Sequence, residues 1–310
     1  MQLCGVKQVD PVQKLINMIE TTKVRILKDG VLQSVDFFKL GELLAKDKEA
    51  TQMAFKTENP GTVFKLLFVA KYFSFPYCWI IRGLKKRLTM KYEITRILYN
   101  DLFAGCGLTC VRLGEQELVW LPGSALLPMI VQARNKLFLF DKILLCEIDA
   151  RRLRVFRRLA KELAEIMPGV KSLGYRFSYV QSYEEYKNAF LSTSPMIILV
   201  KRDANEVAKW PLRLLTELEK SSQRAGVHSL TFIDPDGPTD FTMSSLKAIC
   251  EAPGDVILLE HPELFAECAK RWSQLPLDRG REANLRRLMG AAGIKRAELE
   301  KWLKAPKDRI

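Results

Sequence analysis

Four short apolar runs in this sequence lead into acidic residues. Ile97-Leu98-Tyr99-Asn100 precedes Asp101, residues 142–146 precede Glu147, residues 196–200 lead through Lys201-Arg202 to Asp203, and residues 229–233 precede Asp234. Carboxylates accept hydrogen bonds from amines, ammonium groups and paired hydroxyls, so acids at the ends of buried strands suit a polar ligand bound along one sheet edge. The first run continues as Leu102-Phe103-Ala104-Gly105-Cys106-Gly107, and glycines in such a turn let the backbone approach a ligand and offer it N–H groups. A dinucleotide fits this turn less well. Cys110 stands where the third glycine of G-x-G-x-x-G belongs, and a carboxylate at Asp101 would repel a pyrophosphate. No G-x-x-x-x-G-K-[ST] occurs, which disfavours a P-loop nucleotidase.

The elements that must position these acids follow from the pattern. Apolar runs at 97–101, 142–147, 196–200, 229–233 and 255–259 read as buried strands, with an additional strand at 175–180. Helical patterns lie between them at 125–135, 150–166, 183–191, 210–225 and 243–252, the first opened by Pro122-Gly123 and capped by Ser124. This alternation predicts an α/β fold: a doubly wound, Rossmann-like, mostly parallel sheet with helices on both faces. Residues 1–75 are expected to form a small α+β N-terminal appendage, with a hairpin turning at Asp29-Gly30 and helices near 38–55 and 62–72. Residues 76–262 form the core domain, starting with a helix near 76–90, and 263–310 a helical C-terminal extension. The stretch 108–121 reads as irregular. The aromatic group Phe64, Phe68, Tyr72, Phe73, Phe75, Tyr77 and Trp79 reads as core rather than as a stacking platform.

Each acid has a role if the ligand is S-adenosylmethionine. Backbone around Phe103, Ala104, Gly105 and Gly107 would hold the methionine carboxylate, and Asp101 would pair with its ammonium group or orient a water there. Glu147 suits two ribose hydroxyls, and Asp203 with Ala204 the adenine. Ser124 and Asp149 complete the expected cofactor set. The turn Asp234-Pro235-Asp236-Gly237 supplies the expected catalytic residues, Asp234, Pro235 and Asp236. An exocyclic amine is methylated when its lone pair is aimed at the methyl group and its N–H groups are held by acceptors.

The bulk composition points to the partner. The 310 residues carry 49 Lys and Arg against 36 Asp and Glu, a net charge of +13 that favours a polyanion such as nucleic acid. Arg151, Arg154 and Arg158 lie in a cluster where Arg154 and Arg158 share a helix face, and with Phe241 they are the expected substrate-binding residues. Further basic clusters lie at 82–91 and 279–296. Seven scattered cysteines without a C-x-x-C pair suit the reducing cytoplasm. His228 and His261 are too few and too far apart for a metal site. No apolar run is long enough to span a membrane.

Taken in order, Asp101-Leu102-Phe103-Ala104-Gly105-Cys106-Gly107, Gly123-Ser124-Ala125-Leu126, Cys146-Glu147-Ile148-Asp149, Asp203-Ala204-Asn205-Glu206 and Phe232-Ile233-Asp234-Pro235-Asp236-Gly237 resemble the class I methyltransferase motif series. The set is most similar to the three-Cys-motif partner (TcmP) family, over about residues 91–262. The Asp-Pro-Asp-Gly turn also resembles the Asp-Pro-Phe-Gly of tRNA guanine-N2 methyltransferases. The resemblance implies an S-adenosylmethionine-dependent methyltransferase of nucleic acid that works without a metal. Cys106 replaces the family's usual Pro, Asp236 replaces its Phe, and no clear sixth and seventh strands follow Leu259. These departures keep a second class open: a non-catalytic nucleic-acid-binding or assembly subunit with the same fold and a protein partner.

Overall fold

A computed structural model describes residues 23–59, 61–77, 94–113, 117–135, 140–220, 226–235 and 240–259. The expected C-terminal extension, the first 22 residues, most of the helix expected at 76–90, Asp236 and the basic clusters at 82–91 and 279–296 lie outside them.

The chain opens with an antiparallel hairpin, β1 (Val24–Lys28) and β2 (Val31–Val35). It turns at Asp29 and Gly30, both at positive φ (50° and 77°), the backbone a two-residue hairpin turn needs. Where one helix is expected over 38–55 there are two, α1 (Phe37–Leu44) and α2 (Lys48–Met53), because Asp47 caps a new helix by accepting from the Ala50 N–H. A short strand, β3 (Phe55–Thr57), and α3 (Gly61–Tyr72) follow, and α3 runs into a π turn at Phe73–Tyr77. Phe73 and Tyr77 are fully buried, in accord with a core role. Phe64 and Phe68 of the same aromatic group are instead exposed.

The central sheet has six strands, all parallel: β4 (Ile94–Asp101), β7 (Lys142–Cys146), β8 (Arg176–Val180), β9 (Met196–Val200), β10 (Gly226–Ile233) and β11 (Gly254–Leu258). Their spatial order is β11-β10-β4-β7-β9-β8. Helices α4 (Leu127–Asn135), α5 (Ala150–Ile166), α6 (Pro168–Lys171), α7 (Tyr183–Leu191), α8 (Ala204–Val207), α9 (Trp210–Lys220) and α10 (Met243–Glu251) occupy the connections.

Alternate residues of the strands feed two separate apolar clusters. Tyr99, Ile143, Leu145, Ile197, Leu199, Leu230 and Phe232 pack with α4 and α5, whereas Leu98, Leu144, Cys146, Ile198, Val200 and Ile233 pack with α7, α9 and α10. Because successive strand side chains point to opposite faces, this division means that both faces are covered, the usual condition of a parallel sheet. The architecture is therefore α/β and Rossmann-like. Val24, Ile26, Phe37, Leu40, Leu67 and Tyr77 belong to the first cluster, so the described part of residues 1–75 shares the core of the sheet.

The reading of 108–121 as irregular is corrected. The segment forms an antiparallel hairpin, β5 (Leu108–Leu113) and β6 (Glu117–Pro122), and β3 pairs in parallel with β5 to make a second, three-stranded sheet. Two short runs rich in apolar, β-branched and aromatic residues, Leu108-Thr109-Cys110-Val111 and Leu118-Val119-Trp120-Leu121, separated by a polar stretch that contains Gly114, are the signal that identifies it.

Candidate functional site

Strand order fixes the site. From β4 the chain moves outward in one direction to β7 and β9 and in the other to β10 and β11, so β4 and β10 flank a topological switch point, where crevices open at the carboxyl edge of such sheets. Hydrogen bonds just past the strands keep this edge in register. The Leu102 N–H donates to Phe232 O (3.2 Å), Ala104 N–H to Cys146 O (3.0 Å) and Glu147 N–H to Val200 O (3.1 Å). Asp101, Glu147, Asp203 and Asp234 therefore share one edge.

A cavity of about 860 Å³ opens there, within the range of small-molecule sites. Of the expected residues, Phe103, Ala104, Gly105, Gly107, Ser124, Glu147, Asp203, Ala204, Asp234 and Pro235 line it. Gly105 and Gly107 are at φ +59° and +81°, and no atom lies within 4 Å of a Cβ built on Gly105. The turn thus bares its backbone to open space. Gly107 is packed on the opposite side: a Cβ there would meet Phe156 at 3.0 Å and Leu126 at 3.1 Å. The Gly123 N–H donates to Gly107 O (2.8 Å), so the end of β6 braces the turn.

Asp101 is completely buried behind this turn. It accepts from the Phe103 N–H (3.2 Å), and its Oδ2 is shut off from solvent. Burial pushes its carboxyl up to about 7; the Ser124 hydroxyl and the Phe103 N–H pull it down, and the charges of Asp234 and Glu147 raise it further. Unlike the turn in front of it, Asp101 is not among the residues that line the cavity.

Glu147 is buried, accepts from the Asp149 N–H (3.0 Å) and lies 3.5 Å from the Arg152 guanidinium. Ile148 beside it lines the cavity yet is 70% exposed. Asp203 caps α8 through the Asn205 N–H (2.6 Å). Asp234 pairs with Lys65 of α3 at 2.8 Å.

Several expected residues stand elsewhere. Asp149 is the N-cap of α5, accepting from the Arg151 N–H, and does not line the cavity. Phe241 packs edge-on against Phe103, 6.1 Å between ring centres, and is likewise not in the lining. Arg158 is held by Asp47 and Glu49, which removes it from the side chains open to a phosphate. Arg151 and Arg154 are exposed and carry no ion pair among the described residues.

Other participants come from outside the motif series. Phe55, Thr57, Thr62 and Lys65 line the cavity from β3 and α3. Asn205, inside the motif series but not among the expected site residues, ties α8 to the loop before α10, donating to Asp240 O (2.8 Å) and accepting from the Thr242 N–H (2.8 Å). Only the β-strand pattern around 108–122 and the polar spacing on α3 hint at these contributions in sequence. Among the described residues, no group of three or more His, Cys, Asp and Glu is placed to hold a metal ion, and no helix is long and apolar enough to cross a membrane.

Against known protein families, curated proteins and solved structures, the chain has no match.

Proposed function

We propose that this chain is an S-adenosylmethionine-dependent methyltransferase that acts on nucleic acid. The observation that carries this reading is one cavity lined both by the open Gly105 turn and by the carboxylate of Glu147 at the neighbouring strand end. The turn offers backbone N–H groups for a carboxylate, and Asp101, buried behind it and outside the lining, would act on the ammonium group of the same amino acid by pairing with it or by orienting a water. Glu147, one strand away, would accept from ribose hydroxyls, and exposed Ile148 gives a planar ring an apolar surface.

When bound, the cofactor supplies an electrophilic methyl group. The chain's residues orient the acceptor: the Asp234 carboxylate and the Pro235 carbonyl accept from the N–H groups of an exocyclic amine, which directs its lone pair outward. Lys65 holds Asp234 in place. The nucleic-acid half of the proposal is supported by the net charge of +13 and by exposed Arg151 and Arg154 at the start of α5.

Calorimetric titration tests the cofactor half. Wild type is expected to bind S-adenosylmethionine, with a loss of at least tenfold in Glu147→Ala and of all binding in Gly105→Trp, whose side chain would enter the cavity. Absence of binding by wild type, or equal binding by all three proteins, overturns it.

The Lys65–Asp234 ion pair favours one competing reading, a non-catalytic nucleic-acid-binding subunit, because a paired carboxylate is a weaker acceptor for a substrate amine. Mass analysis of RNA and DNA after incubation with methyl-labelled cofactor separates the two. Transfer of label is expected; nucleic acid that binds but stays unlabelled favours the subunit.

A further inference from the structure

The wall of the cavity that no acid supplies consists of Phe55, Thr57, Thr62 and Lys65, from the segment β3–α3. Two features of this wall point to an acceptor. Lys65 reaches across to Asp234 at 2.8 Å, tying the segment to the end of β10 where transfer is proposed to occur. Phe55 is 44% exposed although it is a large apolar side chain, and it presents that surface to the cavity it lines.

Phe55 cannot easily withdraw. Its backbone is held by the parallel ladder of β3 with β5, where Phe55 pairs with Thr109 and Thr57 with Val111. The strand's neighbours alternate accordingly, and Phe55 and Thr57 share one side. Phe241, the aromatic expected to bind substrate, is instead packed against Phe103 and does not line the cavity. An aromatic face held open in a concave site with a net positive protein around it suits a planar, π-faced ligand on a polyanion, which describes a nucleobase.

We propose that Phe55 is the stacking platform for the acceptor base, so that residues 55–65 form the nucleic-acid half of the cavity and the preferred substrate is single-stranded or has its target base turned out of a helix. This inference rests on the nucleic-acid reading above. A base extruded from its neighbours loses stacking, and an aromatic face replaces it. Lys65 beside it adds a cation near the Asp234 acceptor without entering the stack.

The test uses the full chain and short single-stranded RNA and DNA oligonucleotides containing 2-aminopurine, whose fluorescence is quenched on stacking. Wild type is expected to bind with quenching. Phe55→Ala is expected to weaken binding about tenfold and abolish the quenching, as for loss of one stacked base, while Phe55→Tyr restores both. Thermal unfolding measured in parallel is expected to give wild type and Phe55→Ala the same midpoint, since the side chain is exposed, and so reports that the fold is intact. If wild type binds and Phe55→Ala binds and quenches equally, the stacking role is overturned and the nucleic-acid reading stands. If wild type binds neither oligonucleotide, both fall.

Discussion

Replacing Asp101 by Asn is expected to stabilise the fold at pH 8 while removing most affinity for S-adenosylmethionine. The carboxyl is fully buried and its pKa is raised to about 7 from 3.8, chiefly by burial. An acid whose folded pKa is raised binds more protons in the folded than in the unfolded state between those two values. Its favourable contribution is complete below about pH 4 and is lost as pH rises through 7. Asn, neutral throughout, escapes that loss. Above pH 7 the variant should therefore gain on wild type by about 2–4 kcal/mol in denaturant unfolding, and near pH 4 the advantage should vanish.

The binding side has the opposite sign. An ammonium partner needs the ionised carboxylate, so wild-type affinity should fall below pH 7 by up to about tenfold per pH unit. At pH 6 each binding event should release a proton, visible as a heat that differs between buffers of different ionisation enthalpy. Asp101→Asn should bind weakly and without this pH dependence. Wild-type affinity that stays flat from pH 6 to 8 would remove Asp101 from the cofactor site.

The conflict between stability and binding at Asp101 bears on how much of the molecule its sequence reveals. Strand ends were legible because buried parallel strands are continuous apolar runs that stop abruptly at a charge, as at Cys146-Glu147 and Ile233-Asp234. Helix starts were less legible: Ser124 is the expected cap of a helix from 125, whereas α4 begins at Leu127 after a turn over 124–126, and Asp149, expected at the cofactor, caps α5. Strand order was not legible, since nothing in residues 176–200 says that β9 inserts between β7 and β8. Nor were counter-ions: the spacing of Arg154 and Arg158 is a property of one helix, whereas the claim of Asp47 and Glu49 on Arg158 comes from a segment more than a hundred residues away. Lys65 is a sharper case, since its meaning lies entirely in a contact with Asp234 across 169 positions. The part of the cavity lining at the strand ends comes from local strand-to-turn transitions and could be read. The wall from β3 and α3 is assembled by tertiary packing and could not.

That assembly has a weak point at Gly41, and Gly41→Ala is expected to cost more stability than any single change in the cavity lining. Helix α1 lies so close to β6 that a Cβ at Gly41 would stand 2.1 Å from the Trp120 carbonyl oxygen and 2.6 Å from the Leu121 nitrogen. Both are backbone atoms of a paired strand, and neither can rotate away as a side chain would. Helix and hairpin must separate by more than an ångström, opening the contact of Leu40 and Leu44, both fully buried, with the common core. Overpacking of this kind costs about 3 kcal/mol or more, at the upper end of single substitutions, and should lower the melting temperature by roughly 6–12 °C. A functional consequence is expected with it. β6 runs directly into Gly123, whose N–H holds the Gly107 carbonyl, and Gly123 has no room to follow a shift because a Cβ on it would already lie 3.1 Å from the Gly107 backbone. Displacing β6 therefore displaces the turn proposed to hold the cofactor. Gly41→Ala should weaken S-adenosylmethionine binding at temperatures where the protein is still folded, although residue 41 does not line the cavity. Thermal unfolding read beside a titration about 20 °C below the midpoint checks both parts: an unchanged midpoint would show that α1 has slack, and a lowered midpoint with intact binding would show that β6 does not control the turn.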